Sequence, residues 1–153
     1  MTEDELIRFR REHLGRLLRE IDRDFSTRVK MALAARRHPG IKPAHTQVFA
    51  SLPLDGARLT ELADRAGITK QSMGALVNEL ESLGYLKRSP DPDDGRAIRI
   101  GFSKKGRRLL EDAVTATATV EARYGAAIGD ERVKAMKRAL ADLVEALGIE
   151  IPA

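Results

Sequence analysis

Between Asp4 and Arg37 apolar residues return at steps of mostly three and four, as Leu14, Leu17, Leu18, Ile21, Phe25, Val29 and Leu33, with no Pro among them. That period puts them on one helix face and predicts a single long amphipathic helix. It ends at His38-Pro39-Gly40, where Pro lacks a backbone donor and Gly permits reversal. A short second helix begins near Pro43 and carries Val48, Phe49 and Leu52 as far as Pro53, after which Asp55-Gly56 turns the chain. Arg58 to Ala66 predicts a third helix, started by Thr60 or by the preceding turn and closed by Gly67, with Leu59, Leu62 and Ala63 on one side. Thr69 is suited to cap a fourth, in which Met73, Leu76, Val77, Leu80 and Leu83 keep helical spacing up to Gly84. Past Gly84 the period drops to two. Tyr85 to Arg88 and the alternating Ile98, Ile100 and Phe102 flank Pro90-Asp91-Pro92-Asp93-Asp94-Gly95, which predicts a hairpin with a long polar tip. Ser103 caps a fifth helix through Leu109, Leu110, Val114, Val120 and Tyr124 to Gly129, and a sixth carries Val133, Met136, Leu140, Leu143, Val144 and Leu147 before Gly148 and Pro152.

Helix, Gly-containing turn, helix is an arrangement that can offer its second helix to the DNA major groove. With Met73, Leu76, Val77 and Leu80 inward, the fourth helix turns Lys70, Gln71, Gly74, Ala75 and Asn78 outward near its start. Gln and Asn can read adenine edges, Lys can reach guanine or phosphate, and small residues let the backbone approach. A solvated face of an ordinary helix has the same composition, so the stripe alone leaves both readings open. The hairpin changes the balance, because its tip is longer than a connection requires. Arg96 at that tip is placed to enter a minor groove, with Asp94 two residues earlier to orient it, while Lys87, Arg88 and Arg99 suit phosphates.

Charge adds little by itself. The 153 residues carry 27 basic and 23 acidic side chains, a net +4; residues 1–40 hold 10 basic against 7 acidic, 41–105 hold 10 against 8, and the remainder is slightly acidic. Any nucleic-acid contact therefore belongs upstream of the tail. The absence of Cys excludes disulfides and thiol chemistry and fits a reducing compartment. An acidic start without an apolar run leads to the expectation of a cytoplasmic protein.

Three stretches, in order, resemble the MarR family of bacterial transcription regulators. They are Leu59-Thr60-Glu61-Leu62-Ala63 with Ala66-Gly67-Ile68; Thr69-Lys70-Gln71-Ser72-Met73 running to Leu80-Glu81-Ser82-Leu83-Gly84-Tyr85-Leu86; and Arg88 to Ser103, where Asp94 and Arg96 match the wing signature of an acid two before an arginine. Gly95 departs from the second basic residue many members carry there, and the lack of Cys separates the chain from the thiol-oxidation branch. The resemblance implies a mainly α (α+β) fold: a winged helix-turn-helix with a two-stranded β wing, and long N- and C-terminal helices that interlock two subunits. Its divisions are 1–40, an N-terminal dimerisation helix; 41–103, the DNA-binding domain, with Thr69 and Ser72 added to its recognition helix; and 104–153, the C-terminal dimerisation helices. The implied protein is a ligand-responsive repressor that binds a near-palindromic operator in double-stranded DNA as a homodimer, two-fold sites favouring two-fold proteins.

His45 near the start of the second helix lies next to where relatives bind small anionic or aromatic effectors, and His13 and Arg16 are candidates to line the same crevice. A lone His is more often a satisfied boundary residue. Three His without HxxxH spacing predict no metal and no cofactor. No nucleophile and base pair or phosphate-cradling loop points to an enzyme. Two rivals share the fold: an architectural DNA-coating protein, and a winged domain used for protein contact.

Overall fold

The computed structural model describes residues 1–151; Pro152, read above as following the last helix, lies outside them. Two segments bracket a small domain. At the N-terminal side are α1 (Glu3–Glu12) and α2 (Leu14–Ala35), then come α3 (His45–Ser51), β1 (Ala57–Arg58), α4 (Leu59–Ala66), α5 (Lys70–Ser82), β2 (Leu86–Pro90) and β3 (Ile98–Phe102). The chain closes with α6 (Lys104–Ile128) and α7 (Asp130–Ala146).

The expected single N-terminal helix is two. His13 is extended at the junction (φ −68°, ψ 145°), and its Nδ1 accepts the Arg16 N–H at 3.2 Å, capping α2 from a position with no Pro to advertise a break. Phe9 stacks on the same ring, with centroids 5.0 Å apart. At the far end of α2 the chain turns on Arg37, whose φ of 67° is left-handed, and the His38 N–H returns to the Leu33 carbonyl at 3.0 Å.

The wing has a third strand. β1 pairs antiparallel with β3 (Ala57 opposite Ile100), giving the order β1-β3-β2, while β2 and β3 pair from Leu86 opposite Phe102 out to Pro90 opposite Ile98. Two residues bounded by Gly56 and a helix are too few to show a period, which is why the pattern did not announce them. Arg58, the last residue of β1, also starts α4, its N–H donating to Glu61 Oε2 at 2.8 Å.

One core runs through the molecule. Val48, Leu62, Met73, Val77, Leu80, Tyr85, Ile100 and Leu109 are fully buried, and Leu33 of α2 with Leu109 and Ala116 of α6 extend the same cluster out of the winged domain. His38, just beyond α2, lies between Tyr85 and α6. Its Nε2 meets Asp112 Oδ2 at 2.9 Å and its Nδ1 the Tyr85 hydroxyl at 3.2 Å. In the neutral ring Nε2–H donates to the carboxylate, so Nδ1 accepts from the phenol. Burial pushes the Tyr85 phenol upward, which keeps it a donor.

The end of α5 and the start of α6 are joined through consecutive carbonyls. Lys105 Nζ donates to the Leu83 carbonyl at 2.7 Å, Ser103 Oγ to that of Gly84 at 2.6 Å, and the Ser103 N–H to that of Tyr85 at 3.0 Å. Gly106 is where α6 lies against the Tyr85 carbonyl, and a Cβ there would collide with it. Farther out, the Tyr124 hydroxyl of α6 donates to Asp24 Oδ2 of α2 at 2.8 Å, and Arg28 holds the same carboxylate at 2.7 Å.

Beyond that staple the apolar stripe of the end helices is bare. Leu14, Leu17, Leu18 and Ile21 of the first stripe, and Leu140, Leu143 and Leu147 of the last, are exposed, several by more than half. No helix among the described residues is long and apolar enough to cross a membrane.

Candidate nucleic-acid interface

The expected recognition helix, α5, is fixed at both ends. Thr69 Oγ1 accepts the Ser72 N–H at 3.1 Å and donates to Ser72 Oγ at 2.9 Å, so both hydroxyls expected at DNA also build the cap. At the other end the Tyr85 N–H returns to the Leu80 carbonyl and the Gly84 N–H to that of Glu81, both at 2.9 Å, and Gly84 takes the left-handed φ of 80° this closure needs. Met73, Val77 and Leu80 are buried, which leaves Lys70, Gln71, Ala75 and Asn78 on the exposed side. Gly74 is only half-exposed and faces α4, where a Cβ would touch the Leu59 side chain at 3.6 Å.

Lys70 and Gln71 make no side-chain hydrogen bond or ion pair among the described residues. Asn78 does: its Oδ1 accepts from Arg88 at 2.6 Å, and Arg88 also pairs with Glu81 at 3.0 Å. Strand alternation puts Arg88 on the side of the hairpin that faces α5, and it lines a 280 Å³ cleft with Lys70, Thr60 and Ile98. Thr60 and Arg58, absent from the expected set, thus stand beside the recognition helix. Lys87 lies on the opposite side of the hairpin, in a cleft with Arg99 and Arg107.

Arg99 is not a free cation for phosphate. Its guanidinium donates to the Asp55 carbonyl at 3.0 Å, pairs with Asp55 Oδ2 at 3.3 Å and approaches Asp91 at 3.9 Å. Asp91, which reads as part of a polar tip, is 3% exposed, and Arg58 Nε donates to its Oδ2 at 2.8 Å. Those cations and the Asp93 N–H hold the Asp91 carboxyl below its ordinary range, with the Arg58 hydrogen bond the largest cause. Asp94 does not orient the Arg96 guanidinium as expected: its Oδ1 accepts the Arg96 backbone N–H at 3.1 Å, and its Oδ2 lies 3.8 Å from Arg58. Arg96 itself is exposed, with no side-chain ion pair or hydrogen bond among the described residues. The tip is therefore an Asx turn that presents one free guanidinium.

The three residues expected at an effector crevice are not brought together. His45 is fully buried, its Nδ1 accepting the Lys42 N–H at 3.1 Å and its Nε2 meeting Glu79 at 3.0 Å, so it pins α3 to α5. With Lys42 the first cause and His45 the second, these contacts lower the Glu79 carboxyl. His13 is a helix cap, and Arg16 pairs with Glu20 at 2.9 Å. None of the three lines a described cavity. A 120 Å³ apolar cleft instead lies between α2 and the segment entering α3, floored by Phe25, Val29, Leu33 and Ile41 and rimmed by Lys30 and Lys42. The sequence signal for it was present in the Phe25, Val29, Leu33 stripe, which periodicity assigns simply to packing.

A model of the MarR family matches residues 40–97. Among solved structures, CouR bound to a 23-mer DNA duplex is 26% identical, with a TM-score of 0.67 over 94% of this chain and 98% of that one. CouR from Rhodococcus jostii RHA1 bound to p-coumaroyl-CoA is 27% identical, with a TM-score of 0.64 over 86% and 92%. A transcriptional regulator from Thermotoga maritima is 27% identical, with a TM-score of 0.60 over 88% and 93%. No curated protein matches the sequence significantly. The matched segment spans α3 to the wing tip, and the end helices that flank it align with these regulators as well, so residues 40–97 match the MarR family and the chain as a whole is similar in fold to these regulators.

Proposed function

We propose that the chain is a sequence-specific DNA-binding transcriptional regulator, a ligand-responsive repressor that acts as a homodimer on a near-palindromic operator. The observation that carries this reading is the pairing of an exposed, uncommitted Lys70 and Gln71 at the start of a doubly capped α5 with the one free guanidinium of the tip, Arg96. The helix can enter a major groove, where Gln71 reads adenine and Lys70 guanine or phosphate, while Arg96 reaches the minor groove beside it. Asn78 and Arg88 act as a linked pair, and Lys87 meets phosphate from the other side of the hairpin.

The bare stripe on α2 and α7 supports the dimer, since exposed Leu and Ile at helical spacing lose contact with water when a second copy covers them. Half-sites would then lie about 34–36 Å apart. The likeness to a regulator solved with p-coumaroyl-CoA supports an effector with an apolar body and an anionic end, and the Phe25 cleft, with Lys30 at its rim beside a Lys42 already paired with Glu79, has that chemistry.

Binding to DNA fragments flanking its own coding region, at two salt concentrations with excess random duplex, tests the reading. Saturable binding that survives competitor, protects a two-fold site and weakens steeply with salt is expected. Complete loss to random DNA would instead mark an architectural protein. A folded dimer that binds no DNA at low salt would mark a protein-contact module.

A further inference from the structure

Three aspartates, Asp91, Asp93 and Asp94, crowd the element that the proposed function brings closest to a polyanion. Left free, they would oppose the approach of Arg96 to phosphate. Asp91 is nevertheless buried, and a buried carboxylate is tolerated only when a cation and hydrogen bonds satisfy it. The cation that meets it most closely comes from outside the hairpin. Arg58 ends β1 and begins α4; its backbone is fixed by the Glu61 carboxylate on one side and by pairing opposite Arg99 on the other. From that anchored position its guanidinium reaches Asp91 Oδ2 at 2.8 Å and Asp94 Oδ2 at 3.8 Å. Asp94 in turn holds the Arg96 N–H, so a continuous polar path joins the first residue of the helix-turn-helix to the residue at the tip. Within the tip itself, the backbone offers only the Asp91 N–H to Ala97 carbonyl and Ala97 N–H to Asp94 carbonyl bonds.

We propose that Arg58 is the positioning residue of the wing: by clasping Asp91 and Asp94 it fixes the angle at which Arg96 is offered to the minor groove and shields the groove from two of the three tip carboxylates. This rests on the DNA-binding reading above. Arg58 acts through the tip, so its role separates from that of a direct phosphate contact by the sign of one substitution.

Asp91→Asn removes a negative charge and leaves Arg58 in place. Simple electrostatics makes that variant bind DNA more tightly, whereas positioning makes it weaker. The test compares wild type, Asp91→Asn, Arg58→Ala and Arg58→Lys on the duplex protected in the preceding experiment. Hydroxyl-radical footprinting reports the minor groove, and methylation protection reports the major groove. Both Asp91→Asn and Arg58→Ala are expected to lose minor-groove protection flanking each half-site, to keep major-groove protection, and to bind about tenfold more weakly; Arg58→Lys should recover part of the loss. Amide exchange of residues 91–97 in the DNA-free protein, expected to quicken in both variants while urea midpoints confirm a folded chain, probes the clasp even if no duplex is bound. Tighter binding by Asp91→Asn with an unchanged footprint would overturn the proposal. So would unchanged tip exchange in Arg58→Ala, or equal loss of both footprints. Failure of the wild type to protect any duplex would count against the function instead.

Discussion

His38 joins α2, the exit from α5 and α6, and replacing it with Ala gives a number that can be worked out in advance. The substitution removes two hydrogen bonds of very different value. Asp112 is 37% exposed, so water replaces the lost Nε2–H at little cost. Tyr85 is 0% exposed, and its hydroxyl would be left without a partner or water, a penalty of about 1–3 kcal/mol. The ring itself is 7% exposed and packs 5.7 Å from the Tyr85 centroid, so its removal adds about 1 kcal/mol of lost contact. The sum, about 2–4 kcal/mol, lowers the urea midpoint by about 1–2 M if the slope is near 2 kcal/mol/M. Equilibrium unfolding at one fixed protein concentration measures it, because the midpoint of the proposed dimer would move with concentration. The sharper check is the double variant His38→Ala, Tyr85→Phe. Deleting the orphaned hydroxyl should restore part of the loss, leaving the double variant more stable than His38→Ala alone. Stability at or below that of the single variant would refute the assignment of the cost to the stranded phenol.

Other expectations follow from single features. Arg37→Gly removes the strain of a left-handed non-glycine residue closing α2, and a gain of about 0.5–1 kcal/mol should appear as a modest rise in Tm. Gly106→Ala forces a Cβ against the Tyr85 carbonyl and should cost about 1–3 kcal/mol, read by urea denaturation. The Tyr124 phenol is pushed up to about 12, chiefly by burial and then by its bond to Asp24, while an unfolded tyrosine titrates near 10. A raised folded pKa means that this contribution is complete below pH 10 and is lost as pH rises toward 12; Tyr124→Phe should flatten stability across that window, and tyrosinate absorbance follows the titration directly. On the acid side, the lowered Asp24 carboxyl, held first by Arg28, contributes above its ordinary value of 3.8 and less as pH falls through its folded value, so Asp24→Asn should blunt acid unfolding.

Much of this architecture was legible because local chemistry and tertiary structure agree. Thr69 and Gly84 are strong cap residues, the apolar set of α5 has one period, and the structure buries Met73, Val77 and Leu80 of that set fully and Leu76 and Leu83 in part. Legibility stopped where a contact is distant in sequence. Nothing in Asp91-Pro92-Asp93-Asp94 tells which carboxylate is buried; the answer lies at Arg58, 33 positions earlier. His45 looked available because Glu79, 34 positions later, meets it only after α3 packs on α5. Arg99 looked like a surface cation for the same reason, its ties to Asp55 being made across the sheet. The break at His13 was hidden differently: an imidazole can cap a helix, but the habit is uncommon enough that the pattern around it reads as continuous.

The capture of the Leu83, Gly84 and Tyr85 carbonyls by the first turn of α6 turns two helices into a bell crank. At 25 residues α6 is about 37 Å long, and a tilt of about 5° at its far end moves that end by about 3 Å. Gly106 is seated directly on the Tyr85 carbonyl at that pivot, so a tilt there would be passed to the end of α5. A displacement of the distal part of α6 by the width of one methyl group would thereby change the bearing of α5, and the lever needs no loop to transmit the stroke.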